Sequence, residues 1–197
     1  MFVHLRIHTE FSIVDGTNRI GDLIKHAAGD GQPAMAITDL NNLFGGVKFY
    51  SSGRDKGVKP VLGAELAMEP EAAGGSPSRI IVLIQNEQGY LNLSEILACM
   101  WTADSIKGQV MCTWAWLSEL SGGLILLSGA QAGPVGQALL RGDEAGARAS
   151  ALRLAGLFPH RVYIELQRAG RSDDETHVGA AVALAAQLKL PVVATHP

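Results

Sequence analysis

Short apolar runs alternate along the chain with segments whose apolar residues recur at helical spacing. Residues 2–8, Phe-Val-His-Leu-Arg-Ile-His, read as a strand with Val3, Leu5 and Ile7 on one face and His4, Arg6 and His8 on the other. Further strands are predicted over 34–38, 60–68, 79–84, 124–128, 161–166 and 191–195, most of them continuous apolar runs. Such runs mark a sheet buried on both faces, and so a parallel α/β arrangement, either a barrel or a doubly wound sheet. Helical periodicity covers 19–29, 46–55, 87–103, 113–120, 134–140, 144–157 and 174–188. In the first of these Ile20, Leu23, Ile24, Ala27 and Ala28 share a face, with Thr17 or Asn18 available as a cap. In the third, Tyr90, Leu93, Ile96, Leu97 and Met100 do. Residues 69–78, with two prolines and adjacent glycines, read as a loop.

Composition narrows the class. With 197 residues, 47% hydrophobic and 18% charged, the chain suits one domain, 1–197, with a sizeable core, and it is not disordered. A net charge of -3 argues against a nucleic-acid surface held by bulk positive charge. Cys99 and Cys112 make no disulfide framework and fit a reducing, cytoplasmic compartment. No apolar run is long enough to span a membrane, and no signal-peptide pattern opens the chain.

In parallel α/β folds, functional groups collect at the C-terminal ends of strands. The predicted strands deliver His8 (with Asp15 in the following turn), Thr38-Asp39, Glu65, Ser128-Gly129-Ala130, Glu165 and Thr195-His196 there. Imidazole and carboxylate groups at several strand ends are what a multinuclear metal site needs, although Arg6 beside them would repel a cation. The bland reading is that polar residues sit at strand ends because the chain meets water there. No phosphate-binding glycine loop, dinucleotide fingerprint or nucleophile elbow is present. Gly129, Gly133 and Gly136 read as turn and helix-start residues, and Trp101, Trp114 and Trp116 as packing.

Several segments, taken in order, carry a family resemblance. They are His4-Leu5-Arg6-Ile7-His8-Thr9-Glu10-Phe11-Ser12 with Asp15-Gly16, then Ala36-Ile37-Thr38-Asp39 with Asn42-Leu43-Phe44-Gly45, then Gly57-Val58-Lys59-Pro60-Val61-Leu62-Gly63-Ala64-Glu65. Asn86 with Gly89-Tyr90, Gly123 to Gly129, and Pro191 to Thr195 continue the series. Together they resemble the PHP (polymerase and histidinol phosphatase) domain, in the form that opens bacterial DNA polymerase III alpha subunits. The resemblance implies an α/β fold, a distorted seven-stranded β/α barrel, here expected to be truncated at its C-terminal end as a fragment of a longer subunit.

The active form of that family holds three metals at strand ends. Carried over by position, His8, Asp15 and Glu65 match ligands. Ligand positions are lost at Arg6, Leu40, Arg79, Ala130 and Pro197, none of which coordinates a divalent metal. The resemblance therefore implies a degenerate site with no cofactor, or at most one weakly held Zn or Mn. Arg6 and Arg79 are expected to balance the orphaned carboxylates by pairing with Asp15 or Glu65. The implied role is a structural domain of a replicative DNA polymerase that docks the proofreading exonuclease subunit. It would contact the remainder of the alpha subunit, and DNA only through the full-length enzyme. The alternative is residual metal-dependent phosphoesterase, 3'-5' exonuclease or pyrophosphatase activity. The fragment alone is not expected to synthesise DNA.

Overall fold

Residues 2–13, 15–71, 75–103 and 109–196 are described by the structure, a computed structural model. Part of the loop expected over 69–78 (residues 72–74) and Pro197 lie outside the described residues. The elements in chain order are α1 (Ile20–Gly29), β1 (Ala34–Leu40), α2 (Gly46–Lys56), β2 (Lys59–Met68), β3 (Ser78–Ile84), α3 (Glu87–Thr102), α4 (Trp114–Glu119), β4 (Leu124–Leu127), α5 (Pro134–Leu140), α6 (Glu144–Leu157), β5 (Val162–Gln167), α7 (Asp174–Leu188) and β6 (Val192–Thr195). The six strands form one curled sheet in sequential order, β1 to β6.

The sheet is mixed, which corrects the parallel arrangement read from the apolar runs. β3 runs antiparallel to both β2 and β4, while β1–β2, β4–β5 and β5–β6 are parallel. A parallel pair needs a crossover of a dozen or more residues, usually a helix. No helix lies between β2 and β3 among the described residues, so β3 returns beside β2 in the opposite direction.

Among the described residues six strands stand where seven were expected. Residues 2–8 run beside β1 without forming a regular ladder. The Ala36 amide donates to the His4 carbonyl and the Thr38 amide to the Ile7 carbonyl, at 2.8 and 2.9 Å. Those acceptors are three positions apart and their donors two, so one extra residue bulges from the N-terminal segment. The Ile7 amide, left over by this shift, donates to the Thr38 hydroxyl at 2.9 Å. The face alternation expected for 2–8 breaks at the same place. Leu5 packs with Ala36, Ile81, Leu83 and Leu127 inside the curl, whereas Ile7 packs with Ile20, Ile24 and Phe49 beneath α1 and α2.

The main core lies on the other face of the sheet. Leu66, Ile80, Val82, Leu124 and Leu126 meet Leu93, Ile96, Val135, Ala151 and Leu154 of the covering helices. Two local expectations change. The residue before α1 is Arg19, with no side-chain cap, so neither Thr17 nor Asn18 fills that role. Tyr90 leaves the buried face of α3, because the inward position is taken by Gly89. A Cβ on Gly89 would stand 1.9 Å from the Gly123 carbonyl oxygen. α3 is capped by the Asn86 side chain, which accepts from the Gly89 amide at 3.0 Å.

Gly129 ends β4 at φ +83°, where a Cβ would lie 1.8 Å from the carbonyl oxygen of Arg79. Backbone conformation and contact both demand glycine there. Gly129→Ala is expected to lower the unfolding free energy by about 3 kcal/mol. Gly21→Ala, in α1 with nothing within 4 Å of the new methyl, is expected to raise it by ~0.5–1 kcal/mol. Urea denaturation of both variants checks the pair.

Candidate functional site

The bulge in residues 2–8 aims Arg6 into the curl of the sheet. There it meets two carboxylates with no exposed surface, Glu65 from β2 and Glu165 from β5. Arg6 Nη2 donates to Glu65 Oε2 at 2.7 Å and Nη1 to Glu165 Oε1 at 3.3 Å. Arg79, from β3, donates to Glu65 Oε1 at 3.1 Å and lies 3.6 Å from Asp15 Oδ2. His8 joins the two sides, with Nε2 3.0 Å from Glu65 Oε2 and Nδ1 2.9 Å from Asp15 Oδ1. The pairing expected of Arg6 and Arg79 is thus present, and His8, Asp15 and Glu65 come together as the sequence motifs suggested.

The network extends along the bottom of the curl. Glu165 Oε1 also accepts from Gln167 Nε2 at 3.1 Å and from the Thr195 hydroxyl. The Glu165 amide donates to the Ser128 hydroxyl at 2.9 Å. Glu165 Oε2 is buried without a hydrogen-bond partner. Glu165, Ser128 and Thr195 were visible as strand-end residues. Gln167 was not singled out, though its period-2 spacing from Glu165 puts it on the same face.

Other strand-end residues serve elsewhere. Asp39 is buried and accepts from the Thr9 amide, the Thr9 hydroxyl and the Ser12 hydroxyl at 2.6, 2.8 and 2.7 Å. It pins the turn that leads to Asp15 and does not touch the ion-pair network. Leu40 follows it, its amide donating to the Ser12 hydroxyl. Ala130 is buried at φ +47° in a 3-10 turn after β4. A cleft of about 520 Å³ opens on the network, with Arg171 and His196 on its wall beside Arg6, His8, Asp15 and Arg79. Sequence reasoning missed Arg171. It is placed by the Asp174 carboxylate, which accepts from the amides of Ala169, Gly170 and Arg171.

The charges close among themselves. Burial by itself would raise the Glu65 carboxyl, but the His8 hydrogen bond and the charges of Arg6, His8 and Arg79 outweigh it and hold it at about 2. Burial by itself would lower His8, but the Glu65 hydrogen bond, with the Glu65 and Asp15 charges, raises it above its ordinary 6.5. Both imidazole nitrogens face carboxylate oxygens, an arrangement that favours the protonated ring. Arg6, Arg79 and His8 thus lie against Asp15, Glu65 and Glu165.

A divalent metal does not fit this arrangement. Both oxygens of Glu65 accept from cations, and both nitrogens of His8 are engaged. Among the described residues no group of three or more His, Cys, Asp or Glu side chains is arranged to hold a metal ion.

Comparison with known proteins agrees with the fold. The family model of the PHP domain matches residues 4–169. The chain is 44% identical over 195 residues to the DNA polymerase III subunit alpha of Pseudomonas aeruginosa and 42% identical to that of Escherichia coli. Each match covers 99% of this chain and 17% of the relative, so the chain spans about a sixth of their length. Among solved structures, an amidohydrolase from Chromobacterium violaceum, described with bound sulfate and no metal, has a TM-score of 0.59 at 14% identity. That match covers 99% of this chain and 88% of the other. A two-domain protein from Bacteroides vulgatus, described as containing a predicted PHP-like metal-dependent phosphoesterase, has a TM-score of 0.57 at 11% identity. It covers 98% and 50% of the two chains.

Removing Arg6 leaves buried Glu165 without its cation and takes one of three partners from Glu65, and Arg6→Ala is expected to cost ~3–5 kcal/mol of stability. Arg79 is 40% exposed, so water takes over part of its task and Arg79→Ala is expected to cost about 1 kcal/mol or less. Denaturant titration separates the two.

The same network sets a pH window. The stabilisation from Glu65, whose carboxyl is depressed, is present above its ordinary 4.5 and is lost as pH falls toward about 2. That from His8, whose imidazole is raised, is complete below 6.5 and is lost as pH climbs through the raised value. The network's contribution is therefore expected to be greatest between about 4.5 and 6.5. Subtracting the stability curve of His8→Ala from that of the native chain across pH 2–9 tests this.

Proposed function

The chain belongs to the PHP domain family, and on that premise we propose that it works as a single scaffold domain of a replicative DNA polymerase III alpha subunit. In this reading residues 2–8 act as the seventh strand of a distorted barrel, and a former metal centre survives only in His8, Asp15 and Glu65. The observation that carries the reading is the occupation of Glu65. The carboxylate at a ligand position gives both oxygens to guanidinium groups from Arg6 and Arg79, which stand at positions where the family places histidines. A fixed internal cation does what a bound metal would do for the charge of the fold. It offers no open coordination position to activate water.

A metal-free scaffold keeps a rigid barrel on which other proteins can dock. The partners of this domain are then the remainder of the polymerase subunit and the proofreading exonuclease subunit, with DNA engaged through the complete enzyme in the cytoplasm. The net charge of -3 supports a protein-facing role over direct, charge-driven DNA binding. No described helix is long and apolar enough to cross a membrane.

Elemental analysis of protein grown with zinc and manganese, without chelators, tests the scaffold reading. A strongly substoichiometric metal content and no manganese-dependent phosphoesterase activity are expected. Stoichiometric metal, with activity that disappears in His8→Ala, would put the hydrolytic reading first. Activity unchanged by His8→Ala would identify a contaminant.

A further inference from the structure

The segment that carries Arg171 from β5 to α7 is held mainly by one side chain. Its residues Arg168, Gly170, Arg171 and Ser172 are exposed. Asp174 Oδ2 accepts from the amides of Ala169, Gly170 and Arg171 at 2.6, 2.9 and 3.1 Å. Asp174 Oδ1 accepts from Gln131 Nε2 at 2.7 Å, which ties the carboxylate to the turn after β4. The other ties among the described residues are weak. The Asp174 amide reaches the Arg171 carbonyl at 3.3 Å. Arg168 pairs with Glu175, but the two side chains are 68% and 74% exposed, so water screens the pair.

Three features make this segment a strap rather than a fixed turn. First, Gly170 sits at φ +83°, and a Cβ there would meet nothing within 4 Å. The glycine is needed for the backbone shape of the held segment and not for packing. Second, the latch rests on an incompletely satisfied floor. Asp174, Gln131 and His177 are all more than nine-tenths buried, yet Gln131 Oε1 and His177 Nδ1 have no hydrogen-bond partner. Release of the segment brings water toward polar atoms that the held form leaves unpaired, which lowers the cost of opening. Third, the segment carries a charge that the fold does not neutralise. Among the described residues Arg171 takes part in no ion pair, and it stands on the wall of the cleft of about 520 Å³.

We propose that residues 168–172 form a two-state strap, latched on Asp174 with Arg171 adding a cation to the cleft wall, and released with that cation withdrawn. The strap then sets the charge that a molecule entering the cleft meets. It acts whether or not the domain serves as a scaffold.

Hydrogen exchange at single residues, in the complete polypeptide that carries this chain, tests the latch. Asp174→Ala removes the acceptor, and Gly170→Ala strains the held backbone without touching it. Each is expected to speed exchange at Ala169 and Arg171 by about tenfold or more, while β5 and the C-terminal half of α7 exchange as in the native protein. Thiol labelling of His26→Cys, also on the cleft wall, reads the charge. At low salt the latched strap favours an anionic methanethiosulfonate over a cationic one. Each strap variant is expected to lower that preference severalfold, toward the level of Arg171→Gln. Asp174→Ala also removes a negative charge, which acts in the opposite direction, so a fall reports the withdrawal of Arg171. Native exchange at Ala169 and Arg171 in both strap variants overturns the latch. Faster exchange with an unchanged labelling preference overturns the control of cleft charge. If Asp174→Ala loosens all of α7, Gly170→Ala, which leaves the carboxylate in place, decides between the same outcomes.

Discussion

A carboxylate with no exposed surface must have its charge answered inside the protein, and Glu65 sets that condition for the whole inner face of the sheet. An unpaired ion in such a place costs several kcal/mol. Two elements converge to meet the requirement: the N-terminal segment brings Arg6 and His8, and β3 brings Arg79. Arg6 also reaches across to Glu165 on β5. One guanidinium thus ties strands that are not sheet neighbours, and the curl of the sheet is closed by charge where hydrogen-bonded ladders do not close it.

That requirement explains why residues 2–8 depart from regular strand geometry. A straight ladder would keep strict alternation along the segment and could not send both Leu5 and Arg6 to the inside. The extra residue between the His4 and Ile7 carbonyls allows it, with the Thr38 hydroxyl taking the displaced amide of Ile7. Asp39 then fixes the turn beyond, holding Thr9 and Ser12 so that Asp15 returns toward His8. Polar groups are hydrogen-bonded in series from β1 to β6, and the buried atoms without a partner include Glu165 Oε2 and Ser78 Oγ.

The elements were largely legible in the sequence because each has a strong period or a continuous apolar run. β1 to β6 and all the helices occur within a residue or two of their predicted spans. What sequence could not supply is relational. An apolar run such as 79–84 carries no sign of direction, so the antiparallel setting of β3 was invisible. Tyr90 fits the apolar spacing of α3, and only the contact of Gly89 with the Gly123 carbonyl turns it outward. At the site, the family resemblance pointed to Arg6 and Arg79 as partners of the carboxylates. Arg171 carried no comparable signal, since its position depends on three amides gathering around Asp174.

The physical difference between a metal and an arginine in this setting is where the flexibility lies. A metal ion exchanges ligands and leaves a coordination position open, which suits hydrolysis. A guanidinium is planar, permanently charged and covalently fixed to one strand, so it holds a carboxylate pair in one geometry and offers nothing to a substrate. Arg6 and Arg79 therefore hold the inner-face carboxylates in one geometry.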